Sequence, residues 1–129
     1  MILLDTHVLI WMSSDPQRLS KAAKQAISEA YRTTGIAVAS VTLWELAWLA
    51  ENRRILVSSN VESFVRETVS RVALKAMTPE IAACAVRFPE NFPKDPADCI
   101  IAATALAEGI PLVTADSQIR RARVVTTIW

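Results

Sequence analysis

The stretch DPADCIIAATALAEGIPLVTAD, Asp95 to Asp116, decides how the chain is read. Asp95 suits a helix N-cap, Pro96 the first helical position, and Asp98 the third, where the helix macrodipole favours a negative charge. From Ile100 to Ala107 only Thr104 is polar, so the spacing predicts a helix covered on nearly every side. Gly109 and Pro111 stop it before a short apolar strand, Leu112 to Thr114. Asp116 then falls just past the strand's C-terminal end. Ligands of open parallel α/β sheets bind along that edge, and two acids 18 residues apart at a helix start and a strand end suggest one shared site.

Outward from this stretch the same grammar repeats. Met1 to Leu4 reads as a buried strand running into Asp5-Thr6, with a helix from His7 to Met12, so Asp5 also ends a strand and could serve as an ordinary N-cap. Leu19 to Tyr31 has the apolar spacing of an amphipathic helix. Ile36 to Ala39 is β-like, and Ser40 or Thr42 can cap the helix Leu43 to Ala50. Glu45, the only charge there before Glu51, then sits in the first turn within an apolar wall. A desolvated carboxylate is paired, protonated or metal-bound, although dipole stabilisation in a first turn would also account for it. Trp44 and Trp48, one helical turn apart, do not easily share a small core with their apolar companions, which predicts a partner surface on part of this face, with core packing alone as the alternative.

Asn52 to Asn60 reads as a loop, Val61 to Val72 as a helix, and Ala73 to Met77 as a third strand. Thr78-Pro79 then opens a short helix from Glu80 to Arg87. Beyond Asp116 the sequence predicts a brief helix, Ser117 to Ala122, and an edge strand, Val124 to Thr127. The order β-α-α-β-α-α-β-α-α-β-α-β argues for a parallel sheet of four to five strands with helices on both faces.

At 129 residues this is one domain, residues 1–129, able to bury about two-thirds of its unfolded surface without disulfides. No apolar run reaches the roughly 20 residues of a membrane span. MILLDTHVLIWM has no basic start and is broken by Asp5 and His7, so no signal peptide and a cytoplasmic location are expected. Cys84 and Cys99 lack metal or redox spacing and read as small apolar residues. His7, the only histidine, has no GxSxG partner motif and reads as a packed or capping residue rather than a triad base. With two glycines in the chain, neither a GxGxxG nor a Walker motif is possible.

Topology places Asp5 and Asp116 at strand ends and Glu45 and Asp98 near helix starts on the same edge. Two carboxylates about 5 Å apart repel by roughly 3 kcal/mol at an effective dielectric near 20. Either the four stand apart as helix-start acids, or a hard cation holds them. Mg²⁺ and Mn²⁺ prefer oxygen donors, and a metal-activated water at such a site suits phosphodiester hydrolysis. With those four set aside, nine acids remain against 14 bases, so the rest of the chain carries +5. That balance suits a nucleic-acid backbone around an acidic centre, although a scattered solvated surface is the commoner meaning of such a count.

Together MILLDTHVLIW, SVTLWELA and DPADCIIAATALAEGIPLVTAD, in this order, resemble the PIN domain, and within it the VapC group of toxin-antitoxin ribonucleases. The resemblance implies a PIN-like α/β/α sandwich and a Mg²⁺- or Mn²⁺-dependent endoribonuclease. It also implies frequent homodimers and a VapB-like antitoxin occupying the active-site groove. The family's four acids fall on Asp5, Glu45, Asp98 and Asp116. Thr6 and Thr114 match hydroxyl positions beside the first and fourth acids, where they either orient the ligands or cap and fill, and Asp95 matches a motif acid that is also the expected N-cap. Where the family commonly has Arg after the third acid, this chain has Cys99. Arg53, Arg54, Arg120, Arg121 and Arg123 are candidate RNA-backbone contacts. Two other classes remain in view. One is a noncatalytic PIN-like module that binds protein through its tryptophans. The other is a phosphoreceiver-like domain, which would need an adjacent acidic pair after the first strand and an Asp where Thr78-Pro79 stands.

Overall fold

The computed structural model describes every residue, Met1 to Trp129. Five strands form one sheet: β1 (Ile2–Leu4), β2 (Ile36–Ala39), β3 (Ala73–Lys75), β4 (Leu112–Val113) and β5 (Thr127–Ile128). Every pairing is parallel and the order is β3-β2-β1-β4-β5. The chain winds outward from β1 to β3, then crosses back to the other side of β1 for β4 and β5. The winding therefore reverses between β1 and β4, and their C-terminal ends flank the crevice where α/β sheets bind ligands.

Side chains alternate across this sheet. Ile2, Leu4, Ile36, Val38 and Val113 enter one core with Val8 and Leu9 of α1 (Thr6–Ser14), Ala23 and Ile27 of α2 (Lys21–Arg32) and Leu46 of α3 (Val41–Glu51). Helix α4 (Val61–Thr68) adds Phe64 and Val65 at the margin of that layer. On the opposite face Leu3, Ala37, Ala39 and Leu112 meet Ile101, Ala102 and Ala105 of α6 (Pro96–Glu108) and Ile119 of α7 (Ser117–Ala122). Alanines facing alanines let α6 lie close against β2. Helix α5 (Pro79–Ala85) packs on α6 through Ile81, Ala85 and Ala103 as an outer layer. The result is the expected α/β/α sandwich.

Several boundaries differ from the sequence reading, each for a local reason. Helix α3 starts two residues earlier, at Val41, and Ser40 occupies its cap without a side-chain bond. Thr42 is fully buried inside that helix, its hydroxyl turned to Thr6 at 2.9 Å. Helix α4 ends at Thr68 rather than Val72, where the backbone bonds tighten from Val69 N–H on Val65 to Ser70 N–H on Glu67 and Val72 N–H on Val69. Arg123 adopts a left-handed φ of 54° after α7, so strand pairing resumes only at Thr127. Helix α6 is enclosed from Ile101 to Ala105 but not beyond: Leu106 is 39% exposed, and Ala107 is exposed with it.

The opening helix follows its expected grammar closely. Asp95 caps α6, its Oδ1 accepting from the backbone N–H of Ala97 (2.8 Å) and Asp98 (3.2 Å), and Gly109 ends the helix at φ 65°. Ile101, 1% exposed, anchors α6 to the sheet. Ile101→Ala is expected to lower the unfolding free energy by about 2–5 kcal/mol, measured by urea denaturation, while Leu106→Ala at the uncovered end costs less.

Candidate functional site: an acidic pocket at the switch point

All four predicted acids, with Asp95, reach one pocket. Asp5, Glu45, Asp95, Asp98 and Asp116 line an open cavity of about 390 Å³ together with His7, Trp11 and Ala115. The topology accounts for this. Asp5 follows β1, Asp116 follows β4, α3 leaves the same edge after β2, and α6 runs antiparallel to β4 with its N-terminus at that edge.

Capping and pocket-lining prove compatible. Asp5 caps α1, Oδ1 accepting from Thr6 N–H at 2.8 Å, while Oδ2 accepts from the Thr114 hydroxyl at 2.7 Å. Asp116 caps α7 through Oδ1 alone, from Gln118 N–H (2.8 Å) and Ile119 N–H (3.0 Å). Asp95 likewise uses only Oδ1, which leaves Oδ2 of both residues free. Thr114 also accepts from the Asp116 N–H at 3.1 Å, so one buried hydroxyl ties the first acid to the fourth.

Glu45 is held differently. Because α3 begins at Val41, Glu45 lies beyond the first turn, and dipole stabilisation at the helix start does not explain it. Its Oε1 accepts from the Thr6 hydroxyl at 2.6 Å. That hydroxyl lies 2.9 Å from Thr42 Oγ1. Since Thr6 gives its hydrogen to Glu45, Thr42 donates to Thr6. Thr6 and Thr114 thus each steady one acid. Asp98 receives no side-chain hydrogen bond.

Electrostatics follow from this layout. No Lys or Arg lines the pocket, and the chain's two ion pairs, Arg66–Glu62 and Lys75–Glu108, involve none of its acids. Burial pushes the Asp5 carboxyl above its usual range, opposed by the Thr114 bond and by His7. Burial likewise raises Glu45, opposed by Thr6 and reinforced by Asp5 and Asp95. Asp98 is pushed up to about 7, first by burial and then by the charges of Asp5, Asp95, Glu45 and Asp116. No three of these carboxylates stand close enough to grip a single ion as they are. Their donor set is nonetheless the hard, all-oxygen kind that Mg²⁺ and Mn²⁺ take, and Glu45, Asp95, Asp98 and Asp116 each keep at least one oxygen without a hydrogen bond.

Other predicted residues sit apart from the pocket. Arg53, Arg54, Arg121 and Arg123 are exposed, Arg120 is half-buried with an Nε that has no hydrogen-bond partner, and none of the five lines the pocket. Cys84 and Cys99 are free thiols, half-buried rather than fully buried. Burial, then Asp98 and Asp95, push the Cys99 thiol up, and its Sγ donates to the Pro93 carbonyl at 3.3 Å, so it carries little thiolate. His7 is neither packed nor capping: it is exposed, stands on the second residue of α1 and faces the pocket. Sequence reasoning passes over Trp11, although its place four residues after His7 puts both on one side of α1. Their rings lie 5.9 Å apart.

A parallel sandwich with an acidic crevice at its switch point defines the class: the chain belongs to the PIN domain family, whose pattern matches residues 2–125. It is 45% identical over 130 residues to "Ribonuclease VapC22" of Mycobacterium tuberculosis (strain ATCC 25618 / H37Rv), covering 99% of this chain and 98% of that relative. Among solved structures it resembles VapBC2 from Rickettsia felis bound to a DNA fragment from their promoter, with a TM-score of 0.74, 17% identity and coverage of 98% and 97% of the two chains. DNA-bound VapBC from Salmonella typhimurium gives a TM-score of 0.73 at 19% identity, with the same coverage. At those identities the structural likeness speaks for the fold.

Asp95 adds charge to the pocket and caps α6 at once, and the two roles separate in Asp95→Ser, which keeps a capping oxygen. The variant is expected to retain the helix while the Asp98 pKa falls below about 7, as read by carboxyl-carbon NMR titration.

Proposed function

We propose that this chain is a Mg²⁺- or Mn²⁺-dependent endoribonuclease, the toxin of a type II toxin–antitoxin pair, opposed in the cytoplasm by a cognate VapB-like antitoxin and working as a homodimer. One observation carries the proposal: five carboxylates line one pocket with no lysine or arginine among them, and Asp98 is held at about 7 by burial and by its acidic neighbours. A protein cation would have relieved that strain at no chemical gain. The relative named as a ribonuclease supports the same reading, and the likeness to toxin chains of VapBC complexes agrees with it in fold.

Asp5, Glu45 and Asp98 would hold the ion. Asp116, with Oδ2 free of its cap, would complete the set or orient the attacking water. When bound, the ion supplies the Lewis acidity that activates water and offsets charge growing on the phosphate. The chain's own contribution is positioning: Thr114 fixes Asp5, Thr6 fixes Glu45, and the helix caps anchor one oxygen each of Asp95 and Asp116, leaving the free oxygens to close on the ion. The antitoxin and the homodimer rest on the family resemblance. No helix is long and apolar enough to cross a membrane.

Two outcomes test this reading. Since the folded Asp98 carboxyl titrates at about 7 against an ordinary 3.8, the folded chain keeps a proton that the unfolded chain releases. Metal-free stability therefore falls as pH rises between those values. A divalent ion takes the proton's place, so Mn²⁺ should raise Tm far more at pH 8 than at pH 5 in thermal melts. An equal gain at both would reject the site, and no heat with millimolar Mn²⁺ in calorimetry would leave a noncatalytic scaffold. Secondly, Asp98→Asn should lower RNA cleavage by orders of magnitude while raising the metal-free Tm at pH 8, because it removes a repelled charge. Cleavage at the parental rate would sink the assignment.

A further inference from the structure

Next to the acidic pocket, and sharing His7 and Trp11 with it, lies a second open pocket of about 440 Å³. Its electrostatic character is the reverse. The charged residues lining it are Arg18 and Arg54, no acid faces it, and Ile10, Leu49 and Ile55 give it an apolar floor. The Arg18 guanidinium lies 4.2 Å over the Trp11 ring, which is also braced by Trp129 at 6.1 Å. Trp11 is thus a fixed wall. Trp48 is 42% exposed, with the Arg54 guanidinium 5.8 Å from its ring centroid. An indole this open, with an exposed guanidinium over one side of its ring, offers a flat surface and a cation together.

Apolar ring faces interleaved with arginine are the chemistry that holds single-stranded nucleic acid: bases stack on the rings and cations follow the backbone. A peptide can also cover an exposed indole, but the pocket's continuity with the carboxylates favours a strand whose scissile phosphate sits there. A protein partner alone is the outcome in which Trp48 substitutions leave RNA binding unchanged. We propose that this pocket is a single-stranded RNA subsite, in which a base adjoining the scissile phosphate stacks on Trp48 while Arg18 and Arg54 take neighbouring phosphates. The inference rests on the nuclease reading for the identity of the strand. Its geometric support is continuity: a chain with one phosphate at the carboxylates has its next nucleotides at the shared His7–Trp11 edge.

The test uses a fluorescent single-stranded RNA and the full chain carrying Asp98→Asn, with added Trp48→Ala, Trp48→Phe, Arg54→Ala or, as a control on exposed α2, Lys24→Ala. Trp48→Ala should weaken binding about tenfold or more without changing its salt dependence, and Trp48→Phe should restore most of it. Arg54→Ala should flatten the slope of log Kd against log salt by about 0.7 for each phosphate that the arginine neutralises. An RNA made abasic at one position should bind the parent as weakly as intact RNA binds Trp48→Ala. Trp48→Ala indistinguishable from Lys24→Ala, with both folded by thermal melting, overturns the subsite, and so does RNA that fails to bind at all. Cleavage of the same RNA by the chain with Asp98 intact is scored separately. Cleavage with Trp48-indifferent binding rejects the subsite alone, whereas Trp48-dependent binding without cleavage rejects the nuclease alone.

Discussion

Five like charges gathered at one edge of a parallel sheet, without a protein cation among them, form the constraint on which the molecule depends. Every strand runs the same way, so every strand end and every following helix start is delivered to that edge. The reversal of winding between β1 and β4 opens a crevice there, and the acids line it. Folding the chain therefore concentrates repulsion that the unfolded chain does not feel. Asp98 has no side-chain hydrogen bond to offset its burial, and its carboxyl is pushed up to about 7. The two aliphatic cores and the tight alanine packing of α6 on β2 offset this cost, and the site keeps a charge arrangement that a structural role alone would not select.

The helix-cap and ligand readings of these acids look like rivals in the sequence and turn out to be two uses of different oxygens. Asp95 and Asp116 each spend one oxygen on the first backbone N–H groups of a helix and leave the other free. A capped carboxylate has lost most of its rotational freedom, so the remaining oxygen is presented from a fixed base. Asp5 goes further, with one oxygen on the α1 start and the other on Thr114. Asp98 keeps the freedom the others have lost, and its carboxyl is pushed up to about 7.

Much of this is legible in the residues. The cap, Pro and Gly signals around α6 mark that element's two ends, and the alternation of short apolar strands with helices implies the parallel sheet. Together they place Asp5, Asp98 and Asp116 at one edge. Glu45 emerges for a partly wrong reason: its helix begins at Val41 because Val41 and Thr42 pack inward, a tertiary preference that no cap signal records. The ends of α4 and β5 escape because they are set by tightened backbone turns after Thr68 and by a left-handed Arg123, neither of which breaks the hydrophobic pattern. His7 and Trp11 read as scaffold since nothing in a short apolar run distinguishes a residue facing a core from one facing a crevice. The exposure expected for Trp44 and Trp48 does appear, at 63% and 42%.

The Thr42, Thr6 and Glu45 chain has a direction built into it. With the Thr6 hydrogen committed to Glu45, Thr42 is obliged to point its own at Thr6, and both hydroxyls are sealed from solvent. Valine at either position would match threonine in outline yet sever the relay, stranding an oxygen with no water to replace its partner. Shape alone therefore misjudges these two sites. Natural variation there should run to serine, which keeps the hydroxyl at the cost of a methyl group, sooner than to the isosteric aliphatic.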